Sequence, residues 1–338
     1  MTSGSDLSSA AGIPHGGRLD DARRRFPEAP APFIDLSTGI NPAPYPFDPI
    51  CPEAFTRLPE PGALWALQSV AARAYGVADP AMVVAAPGTQ ILINLLPRLW
   101  PQAAVSILGP TYAEHAASWA AAGAAVHEAT AFGHLDAHPA AVLCNPNNPD
   151  GRRFPPADLL ALAERVRMLV VDEAFADFEG PGISMAPHLA HPGVIVLRSF
   201  GKAFGLAGVR LGFALALPET AAAIRTALGP WAVSGPAIQI ARQALADTAW
   251  AGRSIQRLDG DVARLDGLLA AAGCRAAGGT RLFRLVETTG AAGLFDRLGR
   301  AGIFVRAYGD HPRRLRFGIP GPDDWERVQA ALAGVAPG

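Results

Sequence analysis

The sequence predicts an α/β protein with a mostly parallel central sheet, followed by a smaller α+β domain. Three observations carry this expectation. Short apolar runs at 105–108, 141–144, 168–171, 194–197 and 211–216 show little polar alternation, as expected of strands covered on both faces. Helical patterns lie between or beside them, at 89–100, 112–122, 157–167 and 218–228. Beyond Gly229 the character changes, with a long helical region at 236–272 and strand-like runs at 282–286, 303–305 and 315–319. At about 150 residues per domain, 338 residues suggest two domains. The expected division is an arm over 1–48, a large domain over 49–229 and a small one over 230–338.

In chain order, residues 1–49 are rich in Gly, Pro, Ser and charge, and read as an irregular arm with one extended piece at 33–36. Leu64, Leu67, Val70, Ala71 and Ala74 then recur at helical spacing, with Gly76 placed to end the helix. Pro97 makes the helix at 89–100 imperfect, because proline lacks the backbone donor. A last helix at 323–332 opens with acidic residues suited to its dipole.

Composition excludes several classes. Half the chain is hydrophobic, which supports a sizeable core rather than disorder. Lys plus Arg number 29 and Asp plus Glu 30, a balance that leaves no basic excess for nucleic acid. Cys51, Cys144 and Cys274 are too far apart for a zinc knuckle or a disulfide framework, so no metal and a reducing, cytoplasmic setting are expected. The opening seventeen residues lack the basic and apolar regions of a signal peptide, and no run approaches the ~20 apolar residues that cross a bilayer.

In open α/β sheets, ligands bind beyond the carboxyl ends of the strands. Ala86-Pro87-Gly88-Thr89-Gln90 is a small-residue turn opening a helix; its free amides and hydroxyl suit a phosphate, although such a start is also an ordinary cap. Tyr112, in Gly109-Pro110-Thr111-Tyr112, reads either as packing or as a stacking partner for a flat heterocycle. Asn145-Pro146-Asn147-Asn148-Pro149-Asp150-Gly151 is a tight loop or a rigid mount for amide donors. Asp172, ending Val170-Val171-Asp172-Glu173, is a loop anchor or a fixed anion that keeps a ring nitrogen protonated. Next comes Arg198-Ser199-Phe200-Gly201-Lys202-Ala203-Phe204-Gly205. This is no P-loop, since Val196 and Ala203 stand where that pattern needs Gly and Ser or Thr. A desolvated Lys202 flanked by Arg198 and Arg210 becomes an amine nucleophile able to condense with an aldehyde. Together these loops supply the parts that pyridoxal 5′-phosphate requires.

Asn-Pro-Asn-Asn-Pro-Asp-Gly, Val-Asp-Glu-Ala-Phe and Ser-Phe-Gly-Lys-Ala-Phe-Gly-Leu-Ala-Gly-Val-Arg follow one another in the order and spacing of the aspartate-aminotransferase superfamily. From about Asp35 onward the chain resembles these fold-type I pyridoxal-phosphate enzymes. The resemblance implies a catalytic set of Lys202 as Schiff-base lysine, Asp172 on the pyridinium nitrogen and Tyr112 stacked on the ring. It implies further that Asn148 bonds the ring hydroxyl, that Gly88, Thr89, Gln90, Ser199 and Arg210 bind the phosphate, and that Arg316 takes an acidic end of the substrate. Within the superfamily, the chain is most similar to the branch of histidinol-phosphate aminotransferase and the threonine-phosphate decarboxylase of cobalamin biosynthesis. His15-Gly16-Gly17 followed by Asp35-Leu36-Ser37-Thr38-Gly39-Ile40-Asn41-Pro42 is similar to the decarboxylase opening, whose arm folds over the substrate; His15 and Asn41 would then meet substrate. Leu58 and Phe175 stand where many members have tyrosines, one reaching the partner subunit's cofactor phosphate and one bonding the ring hydroxyl. Neither bond carries over, whereas the family's homodimer does.

The resemblance thus implies decarboxylation of L-threonine O-3-phosphate to (R)-1-amino-2-propanol O-2-phosphate. Transamination of histidinol phosphate uses the same parts, and a non-catalytic pyridoxal-phosphate or nucleotide binder is the remaining alternative.

Overall fold

The computed structural model describes residues 15–180 and 182–333. The first fourteen residues of the expected arm and the last five of the chain lie outside them. Twelve strands among the described residues form two sheets. They are β1 (Ile34–Leu36), β2 (Val83–Ala86), β3 (Ala104–Leu108), β4 (Ala125–Ala129), β5 (Ala140–Cys144), β6 (Met168–Asp172), β7 (Val194–Ser199), β8 (Gly212–Leu215), β9 (Arg275–Thr280), β10 (Phe283–Glu287), β11 (Ile303–Ala307) and β12 (Arg314–Gly318).

The large sheet runs in the order β2-β8-β7-β6-β5-β3-β4, with β8 antiparallel to both its neighbours and the other pairs parallel. Every residue of β5 and β6 is buried, which is why these runs lack alternation. One apolar cluster covers one face through Val142, Val170 and Ile195 with Leu92 and Trp119. Another covers the opposite face through Leu143, Leu169, Val171 and Val196 with Leu159 and Leu162. The helix Thr89–Leu99 keeps Pro97 in its last turn, and the helix Pro61–Tyr75 ends on Gly76, which takes the left-handed conformation that glycine adopts without cost (φ 70°).

The small sheet runs β1-β11-β12-β10-β9. Its edge strand β1 pairs in parallel with β11, Ile34 opposite Ile303, so the extended piece of the expected arm is built into the C-terminal sheet. The arm also carries a helix, Leu19–Arg25, where the sequence reads as irregular.

The region expected as one helix over 236–272 is two, Gly235–Ala246 and Thr248–Ala271. Asp247 breaks it: its backbone leaves helical geometry, and its carboxylate accepts the Trp250 amide at 2.8 Å, capping the second helix. Replacing Asp247 with Ala removes that acceptor. Urea unfolding of Asp247→Ala is expected to show a loss of about 1 kcal/mol.

Candidate active site

The carboxyl ends of β2, β5, β6 and β7 open on a cavity of about 630 Å³, closed on the other side by the arm and by the small sheet. Parallel strands put successive side chains on opposite faces, and this sorts the residues at the ends of β6 and β7. Asp172 and Ser199 face the cavity. Glu173 and Arg198 turn the other way and pair at 2.8 Å, Arg198 also reaching Asp177 at 2.6 Å. Arg198 therefore does not flank Lys202 as the sequence suggested; both its Nη groups are paired with carboxylates behind the sheet.

Lys202 lines the cavity, with Nζ 4.9 Å from the centroid of the Phe175 ring. Burial, reinforced by Arg316 and Arg210, lowers its amine from the usual 10.5 to about 8, against the pull of Asp172. Lys202 is also the single lysine of the chain; the other basic residues are all arginine. That count is visible in the sequence and picks out this residue without any structure.

Asp172 is buried, and its Oδ2 lies 2.9 Å from His115 Nε2. Burial opposes a charge on His115, but the hydrogen bonds to Asp172 and Cys144 prevail and raise it to about 10. A protonated imidazole thus backs the carboxylate. Ligand atoms of His115, Cys144 and Asp172 come within 4.8 Å of one another. Within this group Asp172 is occupied by His115 and by the Ala174 amide at 3.0 Å, while the Cys144 thiol accepts from Thr111 Oγ1 at 3.1 Å.

Tyr112 lies on the cavity wall, its hydroxyl donating to Gln90 Oε1 at 3.0 Å. Burial, together with Glu114 and Asp172, pushes this phenol up to about 12, so it stays protonated. Gly88, Thr89 and Gln90 begin the helix Thr89–Leu99, whose first amides have no partner within the helix. Arg210 closes over them: a Cβ on Gly88 would sit 2.7 Å from Arg210 Nη2. Arg210 itself is held at φ 55°, a conformation costly for a residue with a side chain and typical of functional positions. Ser199 and Arg210 with these amides make an anion cradle.

Arg316, from β12, reaches the cavity with no carboxylate partner among the described residues. It donates to Asn148 Oδ1 and to the Ser37 carbonyl at 2.8 Å, and its buried Nε has no partner. Asn148 lies on the same wall, whereas Asn145 and Asn147 are buried and hold the loop together. His15 is also at the cavity. Asn41 is not. It is buried, donating to the Ala203 carbonyl at 2.8 Å and accepting from Ala43 N at 3.1 Å and from Arg257 at 2.5 Å. Its place is to pin the arm to the loop after Lys202, away from the cavity wall.

Eleven of the twelve residues singled out from sequence thus line one cavity. His115, Cys144, Arg306 and Tyr308 escaped that reading although they belong to the site. His115 sits in an unremarkable helical pattern, and Arg306 and Tyr308 lie in an alternating strand and the turn after it, with nothing local to mark them.

A parallel sheet with a buried carboxylate, an anion cradle and a weakly basic lysine around one cavity defines an enzyme of the aminotransferase fold. Residues 54–332 match the aminotransferase class I and II family, and the chain belongs to it. The threonine-phosphate decarboxylase of Pseudomonas aeruginosa is 42% identical over 330 residues, covering 95% of this chain and 98% of its own. That of Sinorhizobium sp is 44% identical over 334 residues, covering 96% and 98%. Among solved structures, histidinol-phosphate aminotransferase from Sinorhizobium meliloti in complex with pyridoxal-5′-phosphate superposes with a TM-score of 0.82 at 22% identity, covering 98% of each chain.

With one lysine in the sequence, its titration can be read directly. Acetylation of Lys202 in the cofactor-free protein, followed by peptide mapping, is expected to rise with pH around a midpoint near 8, since the amine is protonated and inert below it and free above it. Arg316→Gln removes a neighbouring cation and is expected to move that midpoint up, towards 10.5.

Proposed function

We propose that this chain decarboxylates L-threonine O-3-phosphate to (R)-1-amino-2-propanol O-2-phosphate, using pyridoxal 5′-phosphate held in the cavity. The observation that carries the choice of reaction is the similarity to two threonine-phosphate decarboxylases along almost the entire chain, arm included. The cavity fits the cofactor on its own terms. An anion cradle of helix amides, Ser199 and Arg210 stands at one side, a buried carboxylate at another, and a weakly basic amine over the Phe175 ring, with Tyr112 on the same cavity wall.

When bound, the cofactor supplies an aldehyde that captures the substrate amine and a pyridine ring that accepts the electron pair left as CO2 departs. The protein's contribution follows from its residues. The cradle would hold the phosphate and Asp172 the ring nitrogen, with the 2.9 Å contact to His115 orienting the carboxylate. Asn148 is the donor available to the ring oxygen. Lys202 would hold the cofactor's aldehyde carbon through Nζ and, once displaced by the substrate amine, would donate a proton from Nζ to the substrate's α-carbon in place of the departing CO2.

The substrate has two acidic ends. Arg306 stands directly opposite Arg316 across β11 and β12, and both line the cavity. Like charges so placed are unfavourable alone, and two guanidinium groups suit a phosphate monoester carrying close to two negative charges. Phe175 and Ile40 supply apolar walls that exclude water from the reacting end. His15 and the arm would complete the enclosure, with the arm taken as residues 1–48, the large domain as 49–229 and the small domain as 230–338.

We further infer a homodimer in a reducing, cytoplasmic setting. No described helix is long and apolar enough to cross a membrane. Phe55, Leu58, Trp65 and Trp231 are exposed large apolar residues, a load that association would cover. Sedimentation is expected to give twice the chain mass of 35.1 kDa, and Leu58→Glu with Trp65→Glu to shift it to one chain.

A product assay tests the reaction. CO2 release from L-threonine O-3-phosphate without 2-oxoglutarate is expected; formation of glutamate from 2-oxoglutarate with histidinol phosphate would point to transamination instead. Lys202→Ala is expected to abolish turnover with the fold intact by circular dichroism. Asp172→Asn should lower turnover by about a hundredfold, the scale of losing one preorganised electrostatic group.

A further inference from the structure

The segment His15-Gly16-Gly17 is attached at three points to two different parts of the fold. His15 Nε2 lies 2.8 Å from Glu114 Oε1. Gly16 runs so close to Ser37 that a Cβ would sit 2.4 Å from the Ser37 carbonyl oxygen. Gly17, at φ 81°, donates its amide to Ser37 Oγ at 2.8 Å, and that hydroxyl is fixed in turn by donating to Asp35 Oδ1 at 2.6 Å. Both glycines are therefore required, one for the close approach and one for the left-handed turn. Ser37 directly follows β1 of the small sheet, whereas Glu114 begins the helix Glu114–Ala121 against the large one. The strap joins the two across the cavity that His15 and Gly16 line.

Glu114 is anchored from its own side. Its Oε2 accepts from Gln90 Nε2 at 3.1 Å, and Gln90 accepts from the Tyr112 hydroxyl. A carboxylate in the first turn of a helix is also favoured by the helix dipole. A continuous hydrogen-bonded chain thus runs from the arm to the aromatic ring of the cofactor site, and the His15 and Tyr112 ring centroids are 6.0 Å apart.

We propose that Glu114 is the positioning residue that docks this strap and sets the His15 imidazole against bound substrate. This rests on the reading that the cavity takes a phosphorylated amino acid. Glu114 then acts through His15 rather than on the reacting atoms. Its loss should weaken substrate capture and leave the chemical step almost untouched.

A double-mutant cycle on the holoenzyme tests this. His15→Ala and Glu114→Ala are each expected to raise KM for L-threonine O-3-phosphate about tenfold with kcat changed by less than about threefold. In the His15→Ala background, Glu114→Ala should add less than about twofold. Glu114→Gln, which keeps an oxygen acceptor, should recover most of the loss. Additive effects, or a loss confined to kcat, would overturn the assignment. A second readout does not need turnover: trypsin should cut after Arg18 faster in Glu114→Ala holoenzyme than in the wild type, and equal rates would overturn docking. If the wild type leaves L-threonine O-3-phosphate unchanged, the proposed reaction fails while the trypsin comparison still decides the strap.

Discussion

Glu173 and Arg198 meet at 2.8 Å behind the cavity, buried at the ends of two adjacent parallel strands. Because side chains alternate along a strand, fixing this pair on one face fixes Asp172 and Ser199 on the other. Ser184 Oγ and the Met185 amide, each at 2.6 Å from Glu173, tie the pair to the loop that follows. Burial raises the Glu173 carboxyl, while Arg198, held by Asp177 and Glu173 against its own desolvation, is raised further from neutrality. A buried pair of this kind adds little net stability, since desolvation offsets much of the attraction. Its value here is geometric, in holding the two strand ends in register where the carboxylate, the hydroxyl and the lysine turn must meet.

The electrostatics of the cavity divide along the same lines. On one side, Asp172 and His115 pair at 2.9 Å, both buried. On the other, Arg210, Arg306 and Arg316 face the cavity, and Arg316 keeps a buried nitrogen without a partner. A buried guanidinium without a carboxylate is expensive unless an anion arrives. Burial first, and then this same cation, depresses Lys202, so the cation that makes the pocket receptive to an acid also helps make its amine nucleophilic.

Much of this was legible in the sequence because the chemistry sits in loops after strands. Turn residues and glycines crowd around Asn148, Lys202 and Gly88, and buried strands announce themselves by unbroken apolar runs. Elsewhere the pattern fell silent. β4 is an edge strand with His127 and Glu128 exposed, so it carries no apolar stripe, and β9 contains Gly278 and Gly279. Asp247 is a single polar residue in a helical rhythm, and only the turn it makes shows that it divides two helices. Asn41 had the right neighbours for a ligand, yet its three hydrogen bonds are satisfied inside the protein. His115 and Arg306 became visible only when the fold brought them beside Asp172 and Arg316.

The parallel pairing of β1 with β11 has a consequence for how the chain is made. Ser37 and Arg316, hydrogen-bonded at the cavity, are 279 residues apart in sequence. A ribosome emits the first strand of the small sheet long before its neighbour β11, so that strand has no partner until β11 is made. Contacts of such long sequence separation form late, after loop closure has been met elsewhere. The wall that carries Arg316 is therefore closed by segments far apart in the chain, and the pocket is complete only once both are present.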